Sequence, residues 1–241
     1  MIFIIGLFSI KNVYGQVDEV KKKSKENKEK KTSGKDNSRN DGDGVMVDFL
    51  FNITFNGIFL AQEAQLMRKK EEPWLVSLEG RLYNGYYTKN NTLLYLPSFR
   101  ANWGLFSTSL RFNKMQDNTG LFKTLDWQVI ILNIVNKPVA TFRLGTGISK
   151  DYEVNDTYIE HFFGLDLHFN QRKINPTTEL RIAKDYETET TPRVEWSTRI
   201  EFLLMNVGKL DVNLMGGFLY QRYFSSVNFF FIQTGVSFSF Y

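Results

Sequence analysis

The last stretch of the chain, Asn228 to Tyr241, alternates from Phe230 onward. Phe230, Ile232, Thr234, Val236, Phe238 and Phe240 fall on one side, and Gln233, Gly235, Ser237 and Ser239 on the other. Strand side chains point to opposite faces with period two, so this segment has one apolar face and one small polar face. In a water-soluble protein the apolar face would be core. In a membrane barrel the assignment inverts: apolar side chains meet lipid and polar ones line the interior. The same pattern recurs upstream, segment after segment, and that repetition selects the membrane arrangement.

From Trp74 onward ten amphipathic strands can be written, each near the ~9–11 residues that a tilted membrane strand needs. They run about Trp74–Tyr86, Thr92–Trp103, Leu105–Asn113, Thr124–Ile134, Val139–Lys150, Thr157–Phe169, Thr177–Tyr186, Arg193–Met205, Leu210–Arg222 and Phe229–Tyr241. Tight connections rich in Asn, Gly and Pro alternate with longer polar ones such as Lys114–Lys123. The pattern predicts an all-β, transmembrane, antiparallel up-and-down barrel with short periplasmic turns, longer outer loops and both termini in the periplasm. Mean hydropathy is −0.30, and no run approaches the ~18 apolar residues of a spanning helix. A barrel escapes that test, because only alternate residues must be apolar. The 22 Phe, 11 Tyr and 4 Trp suit a β protein with aromatic belts at the membrane interfaces. Tyr86, Tyr87, Tyr95, Trp127, Tyr158, Tyr186, Trp196 and Tyr220 are expected at the outer rim, Trp74 and Trp103 at the inner.

Ahead of the barrel, residues 1–15 have the apolar region and small-residue end of a signal peptide, with cleavage expected before Gln16. Residues 16–44 mix seven closely spaced lysines (Lys21, Lys22, Lys23, Lys25, Lys28, Lys30, Lys31) with acids, and are expected to form a disordered charged linker. The interspersed acids nearly balance the basic run, so the net charge of +4 is a local excess and no nucleic-acid partner is implied. Residues 45–73 carry both a strand-like and a helical periodicity. They are assigned to an amphipathic helix, or a strand then a helix, at the periplasmic side. With no cysteine, disulfides and thiolate metal sites are excluded.

By parity the lumen receives Glu79, Arg81, Arg100, Arg111, Asp126, Arg143, Asp166, His168, Glu179, Arg181, Asp185, Glu195, Arg199, Glu201 and Asp211. Ten strands enclose little more than their own inward side chains, so paired Arg and carboxylates should crowd the interior. The Gly-Gln signal end, the alternating strands and the aromatic C-terminus resemble outer-membrane β-barrel proteins of Bacteroidota-type Gram-negative bacteria. That resemblance implies contact with outer-membrane lipid and lipopolysaccharide. It also implies recognition of the last strand, with Phe230, Ile232, Val236, Phe238 and Phe240, by the barrel-assembly machinery. It names no activity.

Signatures of catalysis, metal binding or a cofactor are not found. The only histidines are His161 and His168, and an inward Asp166–His168 pair is the sole acid–base candidate. The leading expectation is a non-enzymatic structural or accessory barrel, offering its outer loops and N-terminal segment to protein partners in the outer membrane or periplasm. A narrow solute or ion channel is the first alternative. A rim-active hydrolase or acyltransferase is the second.

Overall fold

The computed structural model describes residues 15–33, 60–68 and 71–241. Ten strands follow one another in the chain: β1 (Val76–Tyr87), β2 (Thr92–Trp103), β3 (Phe106–Gln116), β4 (Leu121–Asn136), β5 (Ala140–Asp151), β6 (Asp156–Leu167), β7 (Ile174–Asp185), β8 (Thr190–Val207), β9 (Leu210–Tyr223) and β10 (Val227–Phe240). Each pairs antiparallel with its chain neighbours, and β1 closes on β10 from Leu78↔Phe240 to Tyr86↔Ile232. Closure leaves no open sheet edge, which a lipid environment could not satisfy. Twelve-residue strands such as β1 and β5 rise ~3.4 Å per residue. Tilted by about 40°, they span roughly the 30 Å of a hydrocarbon core.

The side-chain assignment is inside-out. Phe142, Phe163 and Phe202 are exposed on the outer wall, whereas their strand companions Arg143 and Arg199 are 1% and 5% exposed. Leu78, Leu82, Phe99, Leu110, Leu214, Phe230, Phe238 and Phe240 continue the outer apolar surface around the barrel. A surface of that extent is excluded from water and meets acyl chains.

Several expectations change. The connections are of similar length at both ends: 88–91, 117–120, 152–155, 186–189 and 224–226 at one, and 104–105, 137–139, 168–173 and 208–209 at the other. Lys114–Lys123, read as a loop, mostly continues β3 and β4, because polar residues extend a strand as well as apolar ones once its neighbour is paired. Tyr87 and Tyr158 do not stand on the outer rim. Tyr87 packs edge-on against Phe229 and Phe231, and Tyr158 is buried beneath the Lys31 ammonium.

The largest change is upstream. Gln16–Ser33, expected to be disordered, forms a helix, α1. Lys and Glu are good helix formers, with Asp18 and Glu19 in the first turn and Lys30 and Lys31 in the last to complement the helix dipole. Val17, Val20, Ser24 and Asn27 make a narrow buried stripe at the three- and four-residue spacing of one helix face. That stripe lies across the 117–120, 152–155 and 186–189 connections. Tyr241 is bonded to Lys209 at the opposite end of the barrel. The two described ends of the chain therefore sit at opposite mouths, not on one side as expected. A second helix over 60–67 sits at the Tyr241 end, where Gln62 accepts from the Leu105 N–H and donates to the Trp103 carbonyl. The expected signal peptide and the strand-like part of 45–59 lie outside the described residues.

Glycine serves close backbone approach at one place in particular. A Cβ on Gly147 would lie 2.0 Å from the Trp127 carbonyl oxygen, where β4 bulges against β5. Gly147→Ala is expected to destabilise the barrel by about 1–3 kcal/mol, because backbone cannot yield as a side chain can. Gly216→Ala, with nothing within 4 Å of the added carbon, serves as the near-neutral control. Urea unfolding in detergent, followed by tryptophan fluorescence, separates them; equal midpoints for both variants would refute the steric account.

Candidate functional site

The lumen is the concentrated chemistry of this fold, and it has two zones. The zone beneath α1 is apolar: Tyr83, Leu94, Leu96, Met115, Phe122, Met215, Leu219, Tyr223, Val227, Phe229 and Phe231 form one cluster, joined by Val17 and Val20. Phe229 and Phe231 stack in parallel 5.7 Å apart, and Phe122 meets Tyr223 edge-on. This is a neck.

Below the neck the lumen is ionised in two layers. In the first, Asp126 accepts from Arg193 at 2.7 Å on one oxygen and from Arg111 at 2.7 Å on the other, while Ser149 donates to the oxygen that Arg193 holds. Glu195 takes the other side of Arg111 and accepts from Gln221 at 2.8 Å. Glu160 accepts from Arg193, Arg181 and Gln128. In the second layer Glu179 is the hub, with Arg199 at 2.7 Å, Arg100 at 3.3 Å and Arg143 at 3.5 Å. Arg81 bridges Glu79 and Glu201, and Arg143 holds Asp166 at 2.5 Å.

Seven arginines (81, 100, 111, 143, 181, 193, 199) thus face seven carboxylates (79, 126, 160, 166, 179, 195, 201), and the two layers balance in charge. Glu160 and Arg193, at the centre of the first layer, were absent from the sequence-derived set. Strand parity with Asp166 and with Glu195 would have found both. Asp185 and Asp211 stand apart from these layers: Asp185 belongs to the α1 contact, and Asp211 accepts from Asn206 near the Tyr241 end. His168 bonds to Asn175 and Thr141, while Asp166 is engaged by Arg143. The two residues considered as an acid–base pair therefore have separate partners.

Inside the lumen the voids shrink toward α1, whereas an open cleft of about 360 Å³ lies beside the helix, between Lys23, Asn27 and Lys30 and the Glu189–Thr191 and Phe224 turns. Voids of about 50 and 40 Å³ lie at the Tyr241 end, about 30 Å³ at mid-lumen and about 10 Å³ under Ser24 and Phe122. The larger ones exceed the ~10–15 Å³ that one water requires. Among the described residues, no atom accepts a hydrogen bond from Nε of Arg100, Arg143, Arg181, Arg193 or Arg199. Buried donors of this kind are satisfied by water or by an ion. The ionised zone is built to be wet, and the neck to be dry.

The α1 contact is polar around its apolar stripe. Asn27 donates to Asp185 at 2.6 Å and accepts from Thr188 and Thr190. Lys31 bridges Asp156 and Asp185 at 3.0 and 3.3 Å, Lys28 donates to the Val154 carbonyl, and Lys21 faces Glu153. Burial works against the charge on Lys31, but Asp156 and Asp185 outweigh it and raise its pKa. Burial would raise Asp117, yet donors from Thr119, Val17 and Gly120 hold its carboxyl below the usual range.

No family model and no curated protein matches this chain. Among solved structures, the N-terminal β-barrel domain of Pseudomonas aeruginosa OprF is similar at 10% identity and a TM-score of 0.35, covering 68% of this chain and 97% of that one. The NanC porin aligns at 10% identity and TM-score 0.39, over 67% of this chain and 99% of that one. The KdgM porin aligns at 12% and 0.36, over 69% and 100%. At these values the likeness is one of barrel architecture and carries no argument about cargo.

Two outcomes are expected from this arrangement. Asp126→Asn should cost about 3–5 kcal/mol, because it leaves two buried guanidinium groups short of a carboxylate. Asp211→Asn, outside the layers, should leave the urea midpoint unchanged, and equal midpoints for the two would count against the network. The α1 contact should also be pH-dependent. A depressed carboxyl such as Asp117 contributes above the ordinary carboxylate range and ceases to as pH falls through its own pKa. A raised amine such as Lys31 contributes below the ordinary lysine range and ceases to as pH rises through its own. A spin label on Lys25→Cys, in a chain without native cysteine, should be immobile at neutral pH and mobile at both extremes.

Proposed function

We propose that this protein is a narrow outer-membrane channel for water and small ions, held closed by its own N-terminal helix. The observation that carries this reading is the place of α1. The segment expected to reach out to partners is spent instead on the barrel's mouth, where Val17 and Val20 complete an apolar neck. A hydrophobic constriction conducts only when it wets, and a seal made by a helix outside the closed sheet can leave without unfolding the barrel. The lumen behind it supports conduction. Fourteen ionised groups do not serve a mere anchor, since well-packed apolar residues are as stabilising as buried ion pairs or more so. With balanced charge and voids of 30–50 Å³, the cargo is small and weakly discriminated by sign.

The accessory role is the second reading. The tight aromatic packing of Phe122, Tyr223, Phe229 and Phe231 supports it, because the strands themselves supply most of the neck. In either reading the barrel sits among outer-membrane lipid and lipopolysaccharide, and β10 is the strand offered to the assembly machinery.

Planar-bilayer recording decides between them. The intact protein should show rare, small openings. A variant lacking residues 16–33 should conduct steadily, more so with Phe231→Ser. If both variants hold the bilayer at baseline while heat-dependent gel mobility shows folded barrels, the channel reading fails and the accessory one stands.

A further inference from the structure

Where β3, β4 and β5 reach the α1 mouth, their outer wall carries three amines in one patch. Lys114 on β3 stands directly opposite Lys123 on β4, and Lys150 on β5, paired with Leu125, is diagonal to Lys123. The alternate residues Asn113, Phe122, Thr124 and Ser149 are buried, so the lysines share the lipid-facing side with Leu110, Leu125, Trp127 and Ile148. Like charges directly across a strand pair repel, because opposite Cβ atoms are only about 5 Å apart. Among the described residues, the side chains of Lys114 and Lys123 have no ion pair and no hydrogen bond, and Lys150 meets only the Tyr152 ring, at 5.7 Å. The acids of the same strands and turns are engaged elsewhere. Asp117 accepts from Thr119 and Gly120, Glu153 faces Lys21, and Asp126 and Asp151 are buried.

We infer that this patch is a docking site for an anionic, phosphate-bearing membrane lipid. Its acyl chains lie on Leu110, Trp127 and Ile148, and its phosphate sits among Lys114, Lys123 and Lys150. All three lysines are only half-exposed although they face outward, so their stems lie along the sheet and carry the ammonium groups to the edge of the apolar wall. That edge is the headgroup level of a bilayer. A phosphate there replaces repulsion between the amines by attraction to a shared anion, and its several oxygens accept from more than one ammonium. A free ion would gain the charge interaction alone. A lipid adds apolar contact with Leu110 and Trp127, which are 44% and 45% exposed. Such a site deepens the reading of the barrel as a protein set among membrane lipids, on which it rests, and it is independent of conduction.

Native mass spectrometry of the full chain in nonionic detergent, titrated with dioleoyl phosphatidic acid, tests the site. The wild type should retain one lipid, and the double variant Lys114→Gln, Lys123→Gln should bind it roughly thirtyfold more weakly. Lys137→Gln, in the 137–139 turn at the other mouth, should bind as the wild type does. Without lipid the double variant should unfold at the same or a higher urea concentration than the wild type, having lost a repulsion, so weaker binding is not a folding defect. Equal affinity of the double variant and the wild type overturns the inference. So does displacement of the lipid by an equal concentration of inorganic phosphate, which would mark a free-anion site. A chain that stays in solution without detergent would fail the membrane reading itself, whereas a folded barrel in detergent that retains no lipid fails this site alone.

Discussion

Everything in this molecule depends on the closure of β1 on β10. Backbone N–H and C=O groups have no water to turn to within a bilayer, so an unpaired strand edge there is costly, and ten strands paired in a ring have none. Closure also fixes the two faces. Once Leu78 stands opposite Phe240 and Arg81 opposite Ser237, alternate residues around the ring are committed to lipid or to lumen. A slip of one residue would put Arg81, Arg143 and Arg199 into acyl chains. The ionic layers are in that sense a register lock, and their charge balance lets them persist in a small, low-dielectric interior.

The lumen is graded along its axis. Apolar packing dominates under α1, and paired charges with water-sized voids dominate toward Tyr241. The gradient concentrates resistance to passage at one mouth. It also explains why a helix with only two valines on its buried face can dock: the neck beneath already supplies the aromatic surface, and the lysines need only meet the carboxylates and carbonyl around the rim.

The strands were legible in the sequence because period two survives wherever one face must be apolar, as in Phe230–Phe240. The ends of β3 and β4 were not, since Lys114 to Lys123 carry no alternation and cross-strand pairing alone extends them. α1 was hidden for a compositional reason. Its buried stripe of Val17, Val20, Ser24 and Asn27 is half polar, and a lysine-rich background reads as solvated chain. The neck escaped notice because the Phe229–Phe231 run presents aromatic residues on both faces, so parity there does not separate lipid from lumen. The charged layers were largely visible by parity, whereas the partition between hub residues such as Glu179 and bystanders such as Asp211 depends on three-dimensional neighbours.

Asn170, Gln171 and Arg172 turn the chain between β6 and β7 with φ of 48°, 55° and 67°, a left-handed run that glycine would adopt freely. Side chains make such a conformation costly, at about 1 kcal/mol or more for each residue. The strain is tolerated because the Phe169–Ile174 bridge clamps the turn at its base. A corner that needed only to reverse direction could have been built from glycines at lower cost. This one spends folding energy to carry a guanidinium to a chosen point above an indole, and so it behaves as a rigid bracket whose purpose is the group mounted on it.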